Sequence, residues 1–587
     1  MKKITNKDTQ KLENLYNLNK ITELEKETKK LLKIEKNNLI LLNILGVVYI
    51  KKGIFEEAES IFHKILNINP KNINALKNLG EIYRKKNKIS EAIKYYEIYL
   101  EINKNDIEVL NNIASCYLKN KKYNLAVQYY KNVIKKNPNN EEYLTSLAFA
   151  YIESLNFNEG IKILEKLLDN NINNKRAYNG YMFFQNYNPL TNFEKINEYI
   201  DKFNKIYKKD ILITKSYYNK KNENKINLAF ISPDFRNHPV GYAITNVIKG
   251  LKKYNFNLFG YYNFNINDNL TSELKKSFDY FYNIFDLSDK EILKKIRSDN
   301  IHILIDLAGH SVNNNLTIFY NKPAPIQISW LGYLPTTGIK EINYKIGDPY
   351  IYPKSLAKNF SEKFLYLPRI WSDFELKKID TKIQPDFNNN DEFIIFGCFV
   401  TLQKINDEVI KLWSKVLNKF INTKIYFKAP ELNDISTQKL LLSKFALYGI
   451  KAERLILEKS SDYESYIKSY SKVHISLDPF PWNGVTTSFE SIWMGAPVFC
   501  LEGNTAYSRC TYSINKNLKM EDWIAKDENE YLLKLEKILS DKNKLHFTKK
   551  NLRKNAIKYN LFNSQKFTED LANLLNKVWK DFIIELK

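Results

Sequence analysis

The sequence predicts an α superhelix of short repeats followed by two α/β domains, and three observations carry that reading. Gly46, Gly80, Ala114 and Ala148 stand 34 residues apart. From about residue 225 the helical texture gives way to short apolar runs alternating with helical stretches. A second alternating series then starts near residue 393. A chain of 587 residues has length for roughly three or four folding units. Its 44% hydrophobic and 14% aromatic content is enough to build cores and argues against disorder.

The repeat register is supported four times over. Tyr49, Tyr83, Tyr117 and Tyr151 keep the same spacing, as do Ala58, Ala92, Ala126 and Gly160. Phe62, Tyr96, Tyr130 and Leu164 continue it, and Pro70 and Pro138 close two of the units. Small residues let paired helices approach and aromatics fill the space between repeats, which is the tetratricopeptide signature. Leu12 to Leu32 reads as one degenerate repeat or cap, so the array occupies 1–170. Such residues make core. Binding, if any, belongs to the concave face, where Ile44, Asn78, Asn112 and Ser146 lie two residues before the small position. Asn78 and Asn112 are of the type that hydrogen-bonds the backbone of an extended polypeptide. In an Asn-rich chain a plain surface reading of them stands beside the binding one.

The register is lost over 171–224, read as a helical linker with a helical pattern at Asn192–Tyr207 and a polar connector at Lys215–Lys225. The first α/β lobe, 225–375, opens with the apolar run Ile226–Ile231 and continues with runs at Phe256–Tyr262, Ile301–Leu307 and Ile326–Leu331. The second lobe, 388–545, alternates strand Phe393–Phe396, helix Asp407–Phe420, strand Lys424–Lys428, helix Ser436–Tyr448, strand Arg454–Leu457, helix Tyr463–Tyr470 and strand His474–Leu477. C-terminal helices fill 546–587, with Phe562–Leu586 placed to pack back across the domains. Two facing lobes of this kind put a cleft at the carboxyl ends of their strands.

Composition narrows the function classes. Lys plus Arg is 90 against 66 Asp plus Glu, a net charge of +24. The excess is Lys spread along the chain and interleaved with Asn, which reads either as a solvated surface or as attraction to phosphates and acidic proteins. No helix-turn-helix, zinc-finger or RNA-binding pattern supports a nucleic-acid partner. Cys116, Cys398, Cys500 and Cys510 form no CxxC pair and fit no metal or disulfide framework, so a reducing cytoplasm is expected. The polar stretch Met1–Lys20 has no apolar core of a signal peptide, and no 18-residue apolar run predicts a membrane span.

Two clusters carry chemistry. Ser232-Pro-Asp-Phe-Arg-Asn-His-Pro-Val-Gly-Tyr242 follows a strand and precedes a helix, and it places His238 on a loop where reacting groups collect. Leu477-Asp-Pro-Phe-Pro-Trp-Asn-Gly-Val-Thr-Thr-Ser-Phe-Glu490 is a strand end, a Pro-stiffened turn and a helix start. Asn483, Gly484, Thr486 and Thr487 bring backbone N–H groups and hydroxyls to that helix N-terminus, where a diphosphate binds without a metal. Glu490 lies one turn on, within reach of ribose hydroxyls.

These clusters, with Pro323-Ala-Pro-Ile-Gln-Ile-Ser-Trp-Leu-Gly-Tyr333 and Trp493-Met-Gly-Ala-Pro497, resemble the protein O-GlcNAc transferase family that includes the plant SPINDLY proteins. The resemblance covers nearly the whole chain and implies a GT-B fold of two Rossmann-like domains. It further implies inverting, metal-independent transfer of GlcNAc from UDP-GlcNAc to Ser or Thr of a polypeptide, with no cofactor. On this resemblance His238 lies beside the reacting sugar, Lys404 binds the diphosphate, and Thr486 and Thr487 lie at the phosphates. Glu490 contacts the ribose, Tyr466 stands where a His stacks on the base, and Gly338 belongs to the sugar pocket. Asp299 and His302 fall where the family also has Asp and His, and are expected near the acceptor, with a core or surface reading of His302 equally open.

The sequence departs from the family at Val485 for a His, Thr401 for Asn or Gln, Leu334-Pro335 for Pro-Gly, and the bulky Trp482 for a small residue. These leave two other readings in place: the same fold using GDP-fucose or UDP-glucose, and a repeat scaffold whose transferase domain has decayed. The retention of Lys404, Thr486, Thr487 and Glu490 together favours the active enzyme.

Overall fold

The computed structural model describes residues 5–207, 225–374 and 392–585. The connector expected at Lys215–Lys225 therefore lies, apart from Lys225, outside the described residues. The chain divides into two compact units, Met1–Ile163 and Leu164–Lys587.

The first unit is a run of helical hairpins. Helices Leu39–Lys51 and Phe55–Ile68 form one, and the pairs Ile73–Lys85 with Ile89–Ile102 and Ile107–Lys119 with Tyr123–Lys136 repeat it. The first helix of each pair, and helix Glu141–Glu153 after them, starts on a side-chain cap at Asn38, Asn72, Asp106 or Asn140, again 34 residues apart. The turn inside each hairpin is periodic as well. Asn19, Gly53, Asn87, Lys121 and Leu155 all take positive φ, between 53° and 74°. This turn also marks Asn6–Asn17 and Ile21–Leu32 as a hairpin in the same register. The core uses the small-residue column: a Cβ on Gly80 would meet the Tyr96 ring at 2.4 Å, and one on Gly46 the Phe62 ring at 2.5 Å.

The second unit contains two parallel sheets. The first lobe has β1 (Ile226–Ser232), β2 (Phe256–Tyr262), β3 (Tyr280–Asn283), β4 (Ile303–Asp306), β5 (Ile326–Ser329), β6 (Tyr344–Gly347) and β7 (Lys363–Tyr366), in the order β3-β2-β1-β4-β5-β6-β7. β1 is buried along its whole length because helices cover both faces of a central parallel strand. It pairs with β2 from Ile226–Phe256 to Ser232–Tyr262 and with β4 from Leu228–Ile303. The second lobe has β8 (Ile394–Cys398), β9 (Thr423–Lys428), β10 (Leu455–Glu458), β11 (Ile475–Leu477), β12 (Val498–Leu501) and β13 (Ile524–Ala525), in the order β10-β9-β8-β11-β12-β13.

Both orders reverse direction beside the first strand of the sheet, so the strand ends flanking β1 and β8 open crevices. A continuous core joins the lobes: Trp330 and Trp371 of the first share it with Phe489 and Ile514 of the second and with Phe567 and Leu571 of the last helix, Ser564–Glu585. Arg509 Nε donates to the Tyr350 carbonyl at 2.7 Å and Ser513 Oγ to Asp348 at 2.6 Å, fixing one lobe on the other. Among the described residues no helix is long and apolar enough to cross a membrane.

Candidate active site

The loops at the carboxyl ends of β8 and β11 meet. After β8 the chain makes a single tight turn, Leu402–Lys404, and then a helix capped by Asn406. Lys404 is half-buried and donates from Nζ to the Asn483 carbonyl at 2.7 Å, with its head 5.2 Å from the centre of the Trp482 ring. Asn406 Nδ2 donates to the Phe480 carbonyl at 2.6 Å, so two bonds tie the turn before helix Thr486–Trp493 to the β8 loop. Trp482 is held in turn by stacking on Tyr507 at 3.8 Å and Tyr187 at 4.3 Å.

Within this turn the residues divide into those that shape it and those that face outward. Asn483 is fully buried; its side chain donates to the Pro479 carbonyl at 2.8 Å and its N–H to Tyr507 at 3.1 Å. Gly484 N–H is also engaged, donating to Asp478 Oδ1 at 2.7 Å. The expectation that Asn483 and Gly484 offer these groups to a phosphate is thus corrected: both are spent on the turn. What remains open is the helix start itself. Val485 provides no side-chain cap. Among the described residues no acceptor within the protein takes the N–H groups of Val485, Thr486 or Thr487 or the two threonine hydroxyls. Three open donors at the positive end of a helix, beside a lysine, are an anion cradle.

Burial sets the charges around it. Removal from water pushes the Asp478 carboxyl up, opposed by hydrogen bonding from the Thr511 hydroxyl and the Gly484 N–H and then by attraction to Lys404; it pushes the Lys404 ammonium down, opposed chiefly by attraction to Asp478. Burial also lifts the Cys398 thiol to about 12 and the Cys500 and Cys510 thiols well above the usual range, so all three stay neutral.

Glu490 lies one turn along the helix, buried, with three phenols on it. Tyr463 donates to Oε1 at 2.9 Å, while Tyr466 and Tyr470 donate to Oε2 at 3.1 and 3.3 Å. Tyr466 faces Phe399 edge-on at 6.0 Å and Tyr470 stacks on it at 3.8 Å. Tyr463 and Tyr470 were not singled out from the sequence. Their spacing from Tyr466, three and four residues, puts all three on one helical face and was the available signal. Asp478 was likewise overlooked inside a motif already quoted.

On the other lobe, the loop after β1 carries His238, which caps helix Pro239–Leu251 through Nδ1 and lies 3.5 Å from Asp234, itself paired with Arg236 at 3.0 Å. It therefore stands at the carboxyl end of its sheet, as Lys404 and the Asn483 turn do in theirs. Gly338 does not join these residues in the turn: it is buried at φ 74°, its carbonyl accepts from Asn204 at 2.9 Å, and a Cβ there would meet Ile200 at 2.9 Å. Asp299 and His302 require a correction. His302 Nδ1 accepts from Asn227 N–H at 2.8 Å and its ring stacks on Trp579 at 4.7 Å. Asp299 accepts from Tyr261 at 2.6 Å and Lys295 at 2.7 Å. His302 lies level with Asn227, five residues and so roughly 16 Å before the carboxyl end of β1 at about 3.3 Å per residue, and the Asp299 carbonyl accepts from the Asn227 side chain at 3.2 Å. Burial holds His302 down to about 4, a neutral packing residue.

In the repeat unit Asn78 and Asn112 lie half-buried on the first helices of their hairpins, and no partner within the protein takes their side-chain amides among the described residues. Ser146, at the same column, instead donates to the Glu142 carbonyl of its own helix at 3.0 Å.

Comparison with known proteins decides the family. The model of glycosyl transferase family 41 matches residues 156–374 and 375–571, well over half of the chain. The chain belongs to glycosyl transferase family 41. A tetratricopeptide repeat model matches residues 117–180, and a tetratricopeptide repeat protein 21 C-terminal ARM domain model matches 2–145. A tomato (Solanum lycopersicum) protein named as a probable UDP-N-acetylglucosamine–peptide N-acetylglucosaminyltransferase SPINDLY is 27% identical over 365 residues, 61% of this chain and 39% of that one. The UDP-N-acetylglucosamine–peptide N-acetylglucosaminyltransferase of Caenorhabditis elegans is 20% identical over 489 residues, 63% of this chain and 42% of its own. The chain thus spans about two fifths of the length of these relatives. Among solved structures, a mutant O-GlcNAc transferase of Thermobaculum terrenum superposes with a TM-score of 0.81 at 24% identity, covering 88% of this chain and 98% of that one. The fold of this family 41 member is accordingly tetratricopeptide repeats followed by a GT-B catalytic unit.

Proposed function

We propose that this chain transfers GlcNAc from UDP-GlcNAc to Ser or Thr of polypeptide acceptors, with inversion. The observation that carries this reading is the uncapped start of helix Thr486–Trp493 beside Lys404, where three successive N–H groups have no acceptor among the described residues. A diphosphate leaving group gathers negative charge as the sugar leaves, and preformed donors aimed at it lower the barrier without reorganising. Lys404 and the helix start supply the positive charge that a metal ion would otherwise bring, so we read the reaction as metal-independent. The names of the family 41 relatives support UDP-GlcNAc as donor and a peptide as acceptor. On this reading Glu490 and its tyrosines hold the nucleoside, His238 lies on the reacting sugar's side, and Asn78 and Asn112 hold acceptor backbone. Four free, buried cysteines agree with a cytoplasmic setting.

The test is thermal melting of the purified protein with UDP or GDP, without added metal, followed by transfer from labelled UDP-GlcNAc to Ser/Thr peptides. A ligand at about 100 times its dissociation constant adds about 2.7 kcal/mol to folding stability. Stabilisation by UDP together with label in peptide is expected. Stabilisation by GDP alone would move the donor to a guanosine sugar, and no shift with either would overturn the reading.

A further inference from the structure

Asp478 is a buried carboxylate with half of its bonding capacity unused. Oδ1 accepts from Gly484 N–H at 2.7 Å and the nearby Thr511 hydroxyl also favours the charged form, whereas Oδ2 is enclosed and makes no hydrogen bond among the described residues. The turn is folded over it: a Cβ on Gly484 would meet Thr487 Oγ1 at 2.5 Å, Ser488 Oγ at 2.6 Å and Asp478 Oδ1 at 3.1 Å. The titratable groups that feel the Asp478 charge come from five elements. They are Lys404 from the β8 loop, Cys398 from β8, Cys500 from β12, Cys510 from helix Cys510–Asn517 and Tyr531 from helix Glu528–Ser540. The thiols and the phenol are neutral, so Lys404 is the one cation in this set. A lysine at the positive end of a helix is electrostatically disfavoured unless an anion accompanies it. One peptide group links the two charges: its Asn483 carbonyl accepts from Lys404 and its Gly484 N–H donates to Asp478, which makes Asp478 the anion on this turn.

We propose that Asp478 is a positioning residue of the donor site: it holds Lys404 and the Asn483–Thr487 turn ready in the empty enzyme and takes up a proton from solvent when a diphosphate becomes the partner of Lys404. The inference rests on the donor-site reading above and deepens it. Two anions cannot share one lysine in an enclosed site without cost, and the group that can surrender its charge is the carboxylate. Neutral Asp478 still accepts from Gly484 N–H, so the turn keeps its shape while the phosphates occupy the helix start.

The experiment is titration calorimetry of UDP binding near pH 7.5 in buffers of different ionisation enthalpy, whose slope counts protons taken up. At that pH a terminal phosphate with a second pKa of about 6 is already ionised, so UDP has no proton to give. Uptake of roughly half a proton or more is expected for the wild type. It should vanish in Asp478→Asn and persist in Lys404→Arg, whose guanidinium does not titrate. Uptake that survives in Asp478→Asn, or vanishes in Lys404→Arg, would put the proton on the lysine and overturn the proposal. Should Asp478→Asn fail to fold, the Lys404→Arg titration decides alone. UDP binding with no buffer dependence defeats this proposal and leaves the donor site standing; no UDP binding at all defeats the donor site itself.

Discussion

Lys404 Nζ donates to the carbonyl oxygen of Asn483 at 2.7 Å, so the cation of the β8 loop is already seated at the helix start that follows β11. A charge placed before the reaction needs no reorganisation during it. Lys404→Ala should lower the transfer rate by roughly 10²–10³-fold, about 2.7–4 kcal/mol of transition-state stabilisation. Steady-state rates on a peptide acceptor check this. A loss below tenfold would show that the helix start alone carries the leaving group.

Gly484 has a tighter constraint than its neighbours. A methyl there presses on Thr487, Ser488 and Asp478 together. Gly484→Ala should therefore push the helix start out of register and weaken UDP binding at least tenfold. Because the strain is local, unfolding should shift by no more than about 1–3 kcal/mol, the usual cost of overpacking. Calorimetric affinity and a denaturant melt on the same protein separate the two effects.

The repeats were legible because every 34th position meets the same environment, and the pattern of Gly, Ala and aromatic residues reports it. The periodic caps Asn38, Asn72, Asp106 and Asn140 were equally visible in the sequence and went unread amid abundant Asn. Central strands such as Ile226–Ser232 announced themselves as apolar runs because both faces are covered. Tyr280–Asn283 and Lys363–Tyr366 went unread although both carry apolar side chains, because four residues at a half-exposed sheet edge are too few to tell a strand from a loop. At the site, Lys404 and the two threonines were reachable through motif and chemistry. The engagement of Asn483 and Gly484 was not, because it depends on Tyr507 and Asp478 closing on the turn from other elements. His302 misled because a histidine near a strand reads alike at either end, and only topology tells the carboxyl end from the amino end.

Glu490 accepts from three phenols in a buried setting, but Tyr470 also reaches the Thr487 carbonyl at 3.2 Å and Tyr466 the Tyr470 hydroxyl at 3.0 Å. Glu490→Ala therefore takes an acceptor chiefly from Tyr463 and should destabilise the fold by about 1–3 kcal/mol. Glu490→Gln keeps an acceptor oxygen and should lose clearly less. Chemical denaturation of both variants is the check; equal losses would mean that the negative charge, not the bonding, is what the tyrosines need.

His310 gives the fold a pH dependence of known sign. Its Nε2 donates to the Thr337 carbonyl at 2.9 Å, and Nδ1 lies 2.7 Å from Asn179 Oδ1, a position the neutral ring keeps with the Asn179 amide turned to donate. Burial holds the ring down to about 4 against an ordinary value of 6.5. Between those two values the unfolded chain binds the proton and the folded one does not, so stability falls as pH drops from 6.5 toward 4. Asp306 and Asp348, pushed up to about 6 by burial, act in the opposite direction, since the folded form takes their protons first. The wild type alone therefore mixes the two. The difference between wild type and His310→Gln isolates the ring, and it should move against the wild type by about 3 kcal/mol from pH 7 to pH 4. A flat difference would show that the ring is protonated in the fold.

Asn78 and Asn112 share a column of the repeat, and among the described residues no partner takes their side-chain amides. Each can donate to and accept from the backbone of an extended chain, a contact that adds affinity while ignoring side chains. Removing both leaves the donor site untouched. Asn78→Ala with Asn112→Ala should thus raise KM for long polypeptide acceptors several-fold, at about 0.5–1.5 kcal/mol per lost hydrogen bond, with kcat and UDP affinity unchanged. Short peptides that do not reach the repeats should be used as before. If the double variant handles long and short acceptors alike, the two amides are surface residues, and the acceptor is held by something other than this column.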